Sequence, residues 1–269
     1  MNRCFLFLVL STLLIGACAP QPETMSLFGT SDQGEIVIGG LVSLSGAEEP
    51  LGRSAHAGMM LAVDEINAAG GVNGRTIRLV VQDTGSEPKQ ALDGVSRLVV
   101  ENHVVAVLGA SRAVTWSEAV ALCQRQGVPY LGIGPSERQS AVRQVGRDYL
   151  FMMPEPSYPS VEDQRQDVVA PISFRNDQQQ AILRSEFERM YRERHDASPD
   201  SFAAAGYDAA RVLVAALERA GTPDGSVLRD SLAMTDGFTG VTGTLTFKTP
   251  VRREGETFVA LRPPAERPQ

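Results

Sequence analysis

Histidine and cysteine are scarce in this chain of 269 residues, with three of each, which leaves little material for a metal site. Basic residues are not in excess either: 25 Lys and Arg stand against 32 Asp and Glu, for a formal net charge of −7. No local run of basic residues changes this balance, so a nucleic-acid role lacks electrostatic support. The hydrophobic content of 43% is enough for one large or two small domains.

Catalytic motifs are also missing from the sequence. Neither H-E-x-x-H nor G-x-S-x-G occurs. The glycine-rich segment GGVNGR at 70–75 follows a helical pattern, whereas dinucleotide-binding folds place such a segment between a strand and a helix. Cys123 lies inside a helical pattern, which predicts a packed thiol rather than a nucleophile. The sequence therefore predicts a protein that is not an enzyme and holds no cofactor or metal.

Long hydrophobic runs are limited to the first residues. The run from Phe5 to Ile15 is too short for a bilayer, which takes about 20 apolar residues, but it suits the core of a signal peptide behind Arg3. The segment Ile15-Gly16-Ala17-Cys18 resembles the bacterial lipobox, in which the chain is cut before the cysteine and the cysteine is lipidated. Cys18 would then anchor the chain by acyl chains. The alternative is a plain secretory signal in which Cys18 is incidental.

This interpretation divides the N-terminus into a signal peptide at 1–17 and a flexible tether at 18–34, which is polar and contains proline and glycine. The expected location is the cell envelope or periplasm. Ala19 does not resemble the acidic inner-membrane retention signal, which favours the outer membrane if the host has one. Cys4 would leave with the signal peptide, so Cys123 would remain without a disulfide partner.

Strand and helix patterns alternate along the rest of the chain. Strands are predicted at 35–44, 75–83, 104–110, 128–135 and 148–154, and helices at 54–71, 87–102 and 115–127. Short connections between them predict right-handed βαβ units, hence an α/β fold with a Rossmann-like parallel sheet and helices on both faces. Ligands bind such sheets outside the carboxyl ends of the strands. The loops of interest are therefore 43–54, 83–87, 110–115 and 134–140.

Several motifs within residues 35–262 resemble one family. They are the Ser45-Gly46 turn, the helix end AVDEINAAGGVNG, the segments GVPYLGIGP and YLFMMP, the helix FERMYRERH and the closing segment GFTGVTGTLTF. Together, and in this order, they resemble the branched-chain amino-acid (Leu/Ile/Val-type) receptors of ABC transporters, which are type I periplasmic binding proteins. The resemblance implies two Rossmann-like lobes that close on a ligand between them.

One part of that family pattern is missing. In the family, the chain leaves the first lobe after the YLFMMP element, builds most of the second lobe and returns before the FERMYRERH helix. Here residues 155–168 take the place of this excursion, and 14 residues are too few for a lobe. The prediction is a single lobe with the second largely absent. It comprises 35–154, a remnant linker at 155–168, returning helices and a closing hairpin at 169–262, and a disordered tail at 263–269.

The resemblance also implies a ligand site. It places the carboxylate half of an amino-acid site on the loops at 110–115 and 134–138, where hydroxyls and helix N-termini would receive the ligand. The candidate ligand-binding residues are Ser45, Ser111, Arg112, Thr115, Trp116, Ser136 and Arg138. Alternatively, the hydroxyl residues only cap helices, the two arginines are solvated and Trp116 packs elsewhere. If both arginines face the cleft, they favour a more anionic ligand.

Three functions follow from these features. The first is a lipid-anchored solute-binding protein that serves the permease of an ABC importer for amino acids or related small carboxylates. The second is a single-lobed relative that docks to another envelope protein through its exposed cleft face, and the third is a degenerate deletion product. Because one lobe leaves a ligand partly in water, binding is expected to be about millimolar at best. A homodimer could restore the second wall.

Overall fold

Five parallel strands form the central sheet of this protein, in the spatial order β2-β1-β3-β4-β5. The structure is a computed structural model that describes residues 34–110, 116–134, 149–153 and 177–247. The sheet strands are β1 Ile36–Val42, β2 Ile77–Asp83, β3 Val107–Ala110, β4 Tyr130–Ile133 and β5 Leu150–Met152. The helices are α1 Glu49–Ala68, α2 Pro88–Ser96, α3 Trp116–Gln126, α4 Asp177–His195, α5 Ser201–Ala220 and α6 Gly225–Ala233. A two-stranded antiparallel hairpin, β6 Phe238–Thr239 and β7 Thr244–Leu245, follows them.

The predicted α/β fold is confirmed, with small differences at element ends. Helix α1 begins at Glu49 rather than at 54, because Pro50 fits the first turn of a helix, where no amide donor is needed. Helix α2 is shorter than predicted and continues as a π-helical turn at Arg97–Glu101. Helix α6 was not predicted; its N-terminus is capped by the Asp224 carboxylate, which accepts from the next turn.

Helices α1 and α5 cover one face of the sheet. Ile38 of β1 is fully buried there together with Met59 of α1 and Leu213 of α5. The two helices approach so closely that a Cβ placed on Gly58 would lie 1.9 Å from the carbonyl oxygen of Ala203. Only glycine fits at that contact, and the close approach buries the apolar surface of both helices.

Helices α2 and α3 cover the other face. Leu41 and Val107 of the sheet pack there against Val95 of α2 and Cys123 of α3. The predicted packed state of Cys123 is confirmed: it is buried, and burial raises the pKa of its thiol to about 12. Such a thiol stays protonated and unreactive at neutral pH.

Described residues on both sides of the predicted linker contact the C-terminal segment 241–247. Residues 154–176 follow directly on β5, and residues 248–269 follow Phe247, whose ring centroid lies 5.4 Å from that of Phe151 in β5. Helix α4, which begins directly after 154–176, packs on the turn before β7, where Arg184 Nη2 donates to the Val241 carbonyl at 3.2 Å. Residues before and after the predicted linker therefore both contact the segment 241–247.

A buried carboxylate holds that same turn. Asp208 of α5 is fully buried and accepts hydrogen bonds from the Val241 amide at 2.9 Å, the Thr242 amide at 2.8 Å and the Thr242 hydroxyl at 2.6 Å. Burial raises the pKa of the Asp208 carboxyl, against the opposing effect of these hydrogen bonds and of the Arg211 charge. Asp208 thus ties helix α5 to the hairpin.

Several predicted segments lie outside the described residues. They are the signal peptide, the tether with Cys18, the linker at 155–168 and the tail at 263–269. Within the described ranges, no helix combines the length and hydrophobicity that a membrane crossing needs.

Candidate functional site

The carboxyl ends of the first four strands lie side by side at the same end of the sheet. In the strand register, Val42 at the end of β1 pairs with Asp83 of β2 on one side and with Ala110 of β3 on the other. Ala110 in turn pairs with Ile133 of β4. The loops that were predicted to bind ligand therefore leave the sheet from neighbouring points.

A crevice is expected between β1 and β3. The chain after β1 continues into α1 on one face of the sheet, and the chain after β3 continues into α3 on the other face. The strand order reverses its direction at this place, and open α/β sheets bind their ligands at such a switch point. The loop beginning at Ser43 and the one beginning at Ser111 flank it.

Most of the predicted ligand-binding residues lie outside the described part of the chain. These are Ser111, Arg112, Thr115, Ser136 and Arg138. Trp116 begins helix α3, but its side chain is not described either. The roles of these six residues remain predictions, and Ser45 is the candidate whose contacts can be given.

Ser45 belongs to a cluster that joins the loops after β1 and β2. Its hydroxyl donates to Oδ2 of Asp83 at 2.7 Å, while the amides of Leu44 and Gly85 both donate to Oδ1 at 2.8 Å. We name this arrangement the Asp83 clamp. Because a hydroxyl has one proton, Ser45 retains only acceptor capacity for a ligand. It could receive an ammonium group but could not donate to a carboxylate without leaving Asp83.

Further hydrogen bonds fix the two loops of the clamp. The hydroxyls of Ser43 and Thr84 lie 2.7 Å apart and are buried. Ser86 Oγ accepts from the Glu48 amide at 2.9 Å and donates to the Ser45 carbonyl at 3.0 Å. Gly46 has φ +81°, and a Cβ there would lie 2.3 Å from a carbonyl oxygen of the opposite loop. This side of the crevice is therefore preorganised.

The clamp keeps a negative charge at the edge of the crevice. Partial desolvation is the largest single influence on Asp83 and acts to raise its pKa, but the hydrogen bonds from the Ser45 hydroxyl and from backbone amides together outweigh it, and the pKa is lowered. An ionised Asp83 and the Ser45 oxygen are acceptors, so the described part of the site suits a cationic group. Donors for a carboxylate would have to come from the loops after β3 and β4.

No metal chemistry is indicated by the described residues. Within them, no group of three or more His, Cys, Asp or Glu side chains is arranged to hold a metal ion.

The family profile for periplasmic binding proteins matches the chain in two segments, at residues 35–163 and 160–260. The chain belongs to the periplasmic binding protein family. This confirms the resemblance that the sequence motifs carried. Membership supports the prediction that the chain binds a solute rather than catalysing a reaction. It also supports a periplasmic location, since the proteins of this family are periplasmic.

Relatives within the family include amino-acid receptors. An "Amino acid binding protein" of Pseudomonas aeruginosa is 33% identical over 119 residues, which cover 44% of this chain and 31% of the relative. A "Leu/Ile/Val-binding protein homolog 8" of Brucella abortus is 31% identical over 160 residues, covering 60% of this chain and 38% of the relative. The chain thus spans well under half the length of these relatives.

Solved structures of family members share the fold. A branched-chain amino acid transporter substrate binding protein from Streptococcus pneumoniae, in complex with isoleucine, aligns with a TM-score of 0.64 at 21% identity. The alignment covers 79% of this chain and 92% of that one. A solute binding protein from R. palustris in complex with benzoate aligns with a TM-score of 0.60 at 16% identity, over 79% of this chain and 89% of that one.

Proposed function

We propose that this chain is a lipid-anchored, single-lobed solute-binding protein of the cell envelope that takes amino acids or related small carboxylates for an ABC importer. The observation that carries the proposal is the reversal of strand order between β1 and β3, where a binding crevice is expected, in a member of the periplasmic binding protein family. Its β1 side is already fixed by the Asp83 clamp, as a receptor loop must be if it is to bind without reorganising.

Two observations support a single lobe. The two segments of the family match meet at residues 160–163, inside the predicted linker at 155–168. Described residues before and after this linker also contact one common segment, since Phe151 packs against Phe247 and Arg184 donates to the Val241 carbonyl. A chain can bridge two neighbouring points with few residues, so a short linker in place of a lobe is sterically simple.

The ligand class is inferred from the relatives and from the loops. Relatives are named for leucine, isoleucine and valine, and the related structures hold isoleucine or benzoate. These ligands share a carboxylate. We assign its recognition to Ser111, Thr115 and Ser136, with Arg112 and Arg138 favouring a more anionic ligand. Since one lobe leaves the ligand partly exposed, the expected dissociation constant is about millimolar.

The envelope location rests on the N-terminal segment. Lipidation of Cys18 would tether the lobe through residues 19–34, and a permease would then meet a receptor held at the membrane surface. Expression of the full chain with labelled palmitate tests this: the label should enter the wild type and not a Cys18→Ser variant. Equal labelling of both would remove the anchor from the proposal.

Ligand binding is tested by thermal unfolding of residues 19–269 with L-leucine, L-isoleucine, L-glutamate and benzoate. At ten times the dissociation constant, a ligand should stabilise the protein by about 1.4 kcal/mol, which corresponds to about 3 °C in Tm. Arg112→Ala and Arg138→Ala should reduce the shift with glutamate more than the shift with leucine. Arg125→Ala, an exposed residue of α3, is the matched control.

The outcomes separate the receptor from the two alternatives. A cooperative melt that no ligand shifts would contradict the receptor and favour docking of the cleft face to another envelope protein. The absence of a cooperative melt would favour a degenerate deletion product. A saturable shift would support the receptor.

A further inference from the structure

The outer side of β5 is an open sheet edge within the described part of the chain. Among those residues the sheet ends at β5, which pairs on its inner side with β4. The Tyr149 carbonyl and the Met153 amide bond to β4 at 2.7 and 2.9 Å. Because the backbone groups of a strand alternate in direction, those of Leu150 and Met152 point away from β4 and are available to a further strand.

Within the described residues, this edge lacks the charged and polar side chains that the opposite edge has. On β2, the other edge strand, Arg78 pairs with Glu35 at 2.7 Å and Gln82 accepts from Arg97 at 3.1 Å. Charged and long polar side chains of this kind discourage a further strand. β5 consists only of Leu150, Phe151 and Met152, with Phe151 at 2% exposure. An apolar edge strand of this kind predicts that a further segment pairs with it.

The chain itself supplies a segment at the right place. Phe247, the last described residue, packs its ring against Phe151 of β5, so the chain continues into residues 248–269 from a point close to β5. They contain one continuous apolar run, Phe258-Val259-Ala260-Leu261. The run is preceded by the mainly polar residues 248–257, which include Pro250 and Val251, and is followed by Pro263-Pro264, which cannot continue a strand.

We propose that residues 258–261 pair with the outer edge of β5 as a sixth strand of the sheet. The run has four residues where β5 has three, and a strand covered on both faces is expected to be apolar throughout, as both are. The ten residues 248–257 can extend over about 34 Å, far more than the return to β5 requires. Another apolar run of the sequence, Val168-Val169-Ala170, is followed by Pro171, which has no amide donor for a ladder.

Hydrogen exchange of the full chain, followed by mass spectrometry of its peptides, tests the pairing. Amides at 258–261 should exchange at least about tenfold more slowly than those at 265–269. Val259→Pro removes an amide and should speed exchange at 149–153, while Ala265→Pro, outside the run, should leave both regions unchanged. The wild-type measurement is decisive even if the first variant fails to fold.

Three results would overturn the proposal. The first is equal exchange rates at 258–261 and 265–269. The second is slow exchange at 168–174 with fast exchange at 258–261, which would indicate that residues 168–174 pair with β5 instead. The third is slow exchange at 149–153 that disappears on dilution, which would indicate that β5 pairs with a second copy of the chain. Slow exchange at 258–261 that is independent of concentration and is lost in Val259→Pro supports it.

Discussion

Two aspartates in this lobe do the same task in opposite surroundings. Asp83 and Asp208 each accept hydrogen bonds from two backbone amides and one hydroxyl, and each thereby holds a loop in place. Asp83 lies exposed at the edge of the candidate site, and its pKa is lowered. Asp208 is fully buried between α5 and the hairpin, and its pKa is raised.

The comparison shows that burial decides whether the pKa of an aspartate with these hydrogen-bond donors is lowered or raised. Around Asp83, water still solvates much of the carboxylate, so the hydrogen-bond donors together outweigh the cost of desolvation and favour the charged form. Around Asp208, the cost of removing the charge from water exceeds what the donors return. Asp208 therefore has mainly a structural role, whereas Asp83 keeps a charge available beside the candidate ligand site.

The largest effect is expected from Asp208→Ala. The change leaves the amides of Val241 and Thr242 buried without an acceptor, which should lower the free energy of unfolding by about 3 kcal/mol. Urea denaturation measures this. Thr242→Val, which removes only the hydroxyl donor, should cost about 1 kcal/mol. A loss below 1 kcal/mol for Asp208→Ala would show that the hairpin does not depend on this carboxylate.

A smaller effect is expected from Asp83→Ala. The donors that it frees are at the surface and can turn to water, so the loss in unfolding free energy should be about 1 kcal/mol. Asp93→Ala, another exposed aspartate at the surface of α2, is the matched control and should cost less. If Asp83→Ala destabilised the protein as much as Asp208→Ala, the contrast between exposed and buried clamps would be wrong.

The smallest expected effect is a pH dependence of opposite sign at the two sites. The pKa of Asp83 is lowered on folding, so its contribution is present above the ordinary aspartate value of about 3.9 and is lost as the pH falls through the folded value. The pKa of Asp208 is raised, so its contribution is present below about 3.9 and is lost as the pH rises through the folded value.

Urea midpoints of the wild type, Asp83→Asn and Asp208→Asn at a series of pH values test these signs. On acidification, the wild type should lose stability relative to Asp83→Asn and gain stability relative to Asp208→Asn. Slopes of the same sign for both pairs would refute the assignment of the two shifts to hydrogen bonding and burial.

The sheet was predictable because its signal is local. Runs such as residues 35–44 and 104–110 are almost continuously apolar, and a strand covered on both faces requires that pattern. Helix ends were less accurate, since Pro50 within a polar stretch concealed the true start of α1. Helix α6 spans nine residues, too few for a clear periodic pattern.

The contacts of the candidate site were not predictable in the same way. Ser45 was identified from a turn motif, but its partner Asp83 is 38 residues away, and nothing local shows that the hydroxyl proton is already committed. Asp208 sits within an alanine-rich helix and finds its donors 33 and 34 residues later. Such pairings depend on how the elements pack, which periodicity and composition do not encode.

The most direct test of the account is an amide NMR titration of residues 19–269 with L-isoleucine. The account predicts saturable shifts at the β1–β3 crevice, in the amides of 43–48, 84–87, 109–110 and 133–134, and none around Val241 and Thr242 beside Asp208. Shifts centred on the Asp208 hairpin, or no shifts with L-isoleucine, L-glutamate and benzoate alike, would contradict a ligand site at the crevice.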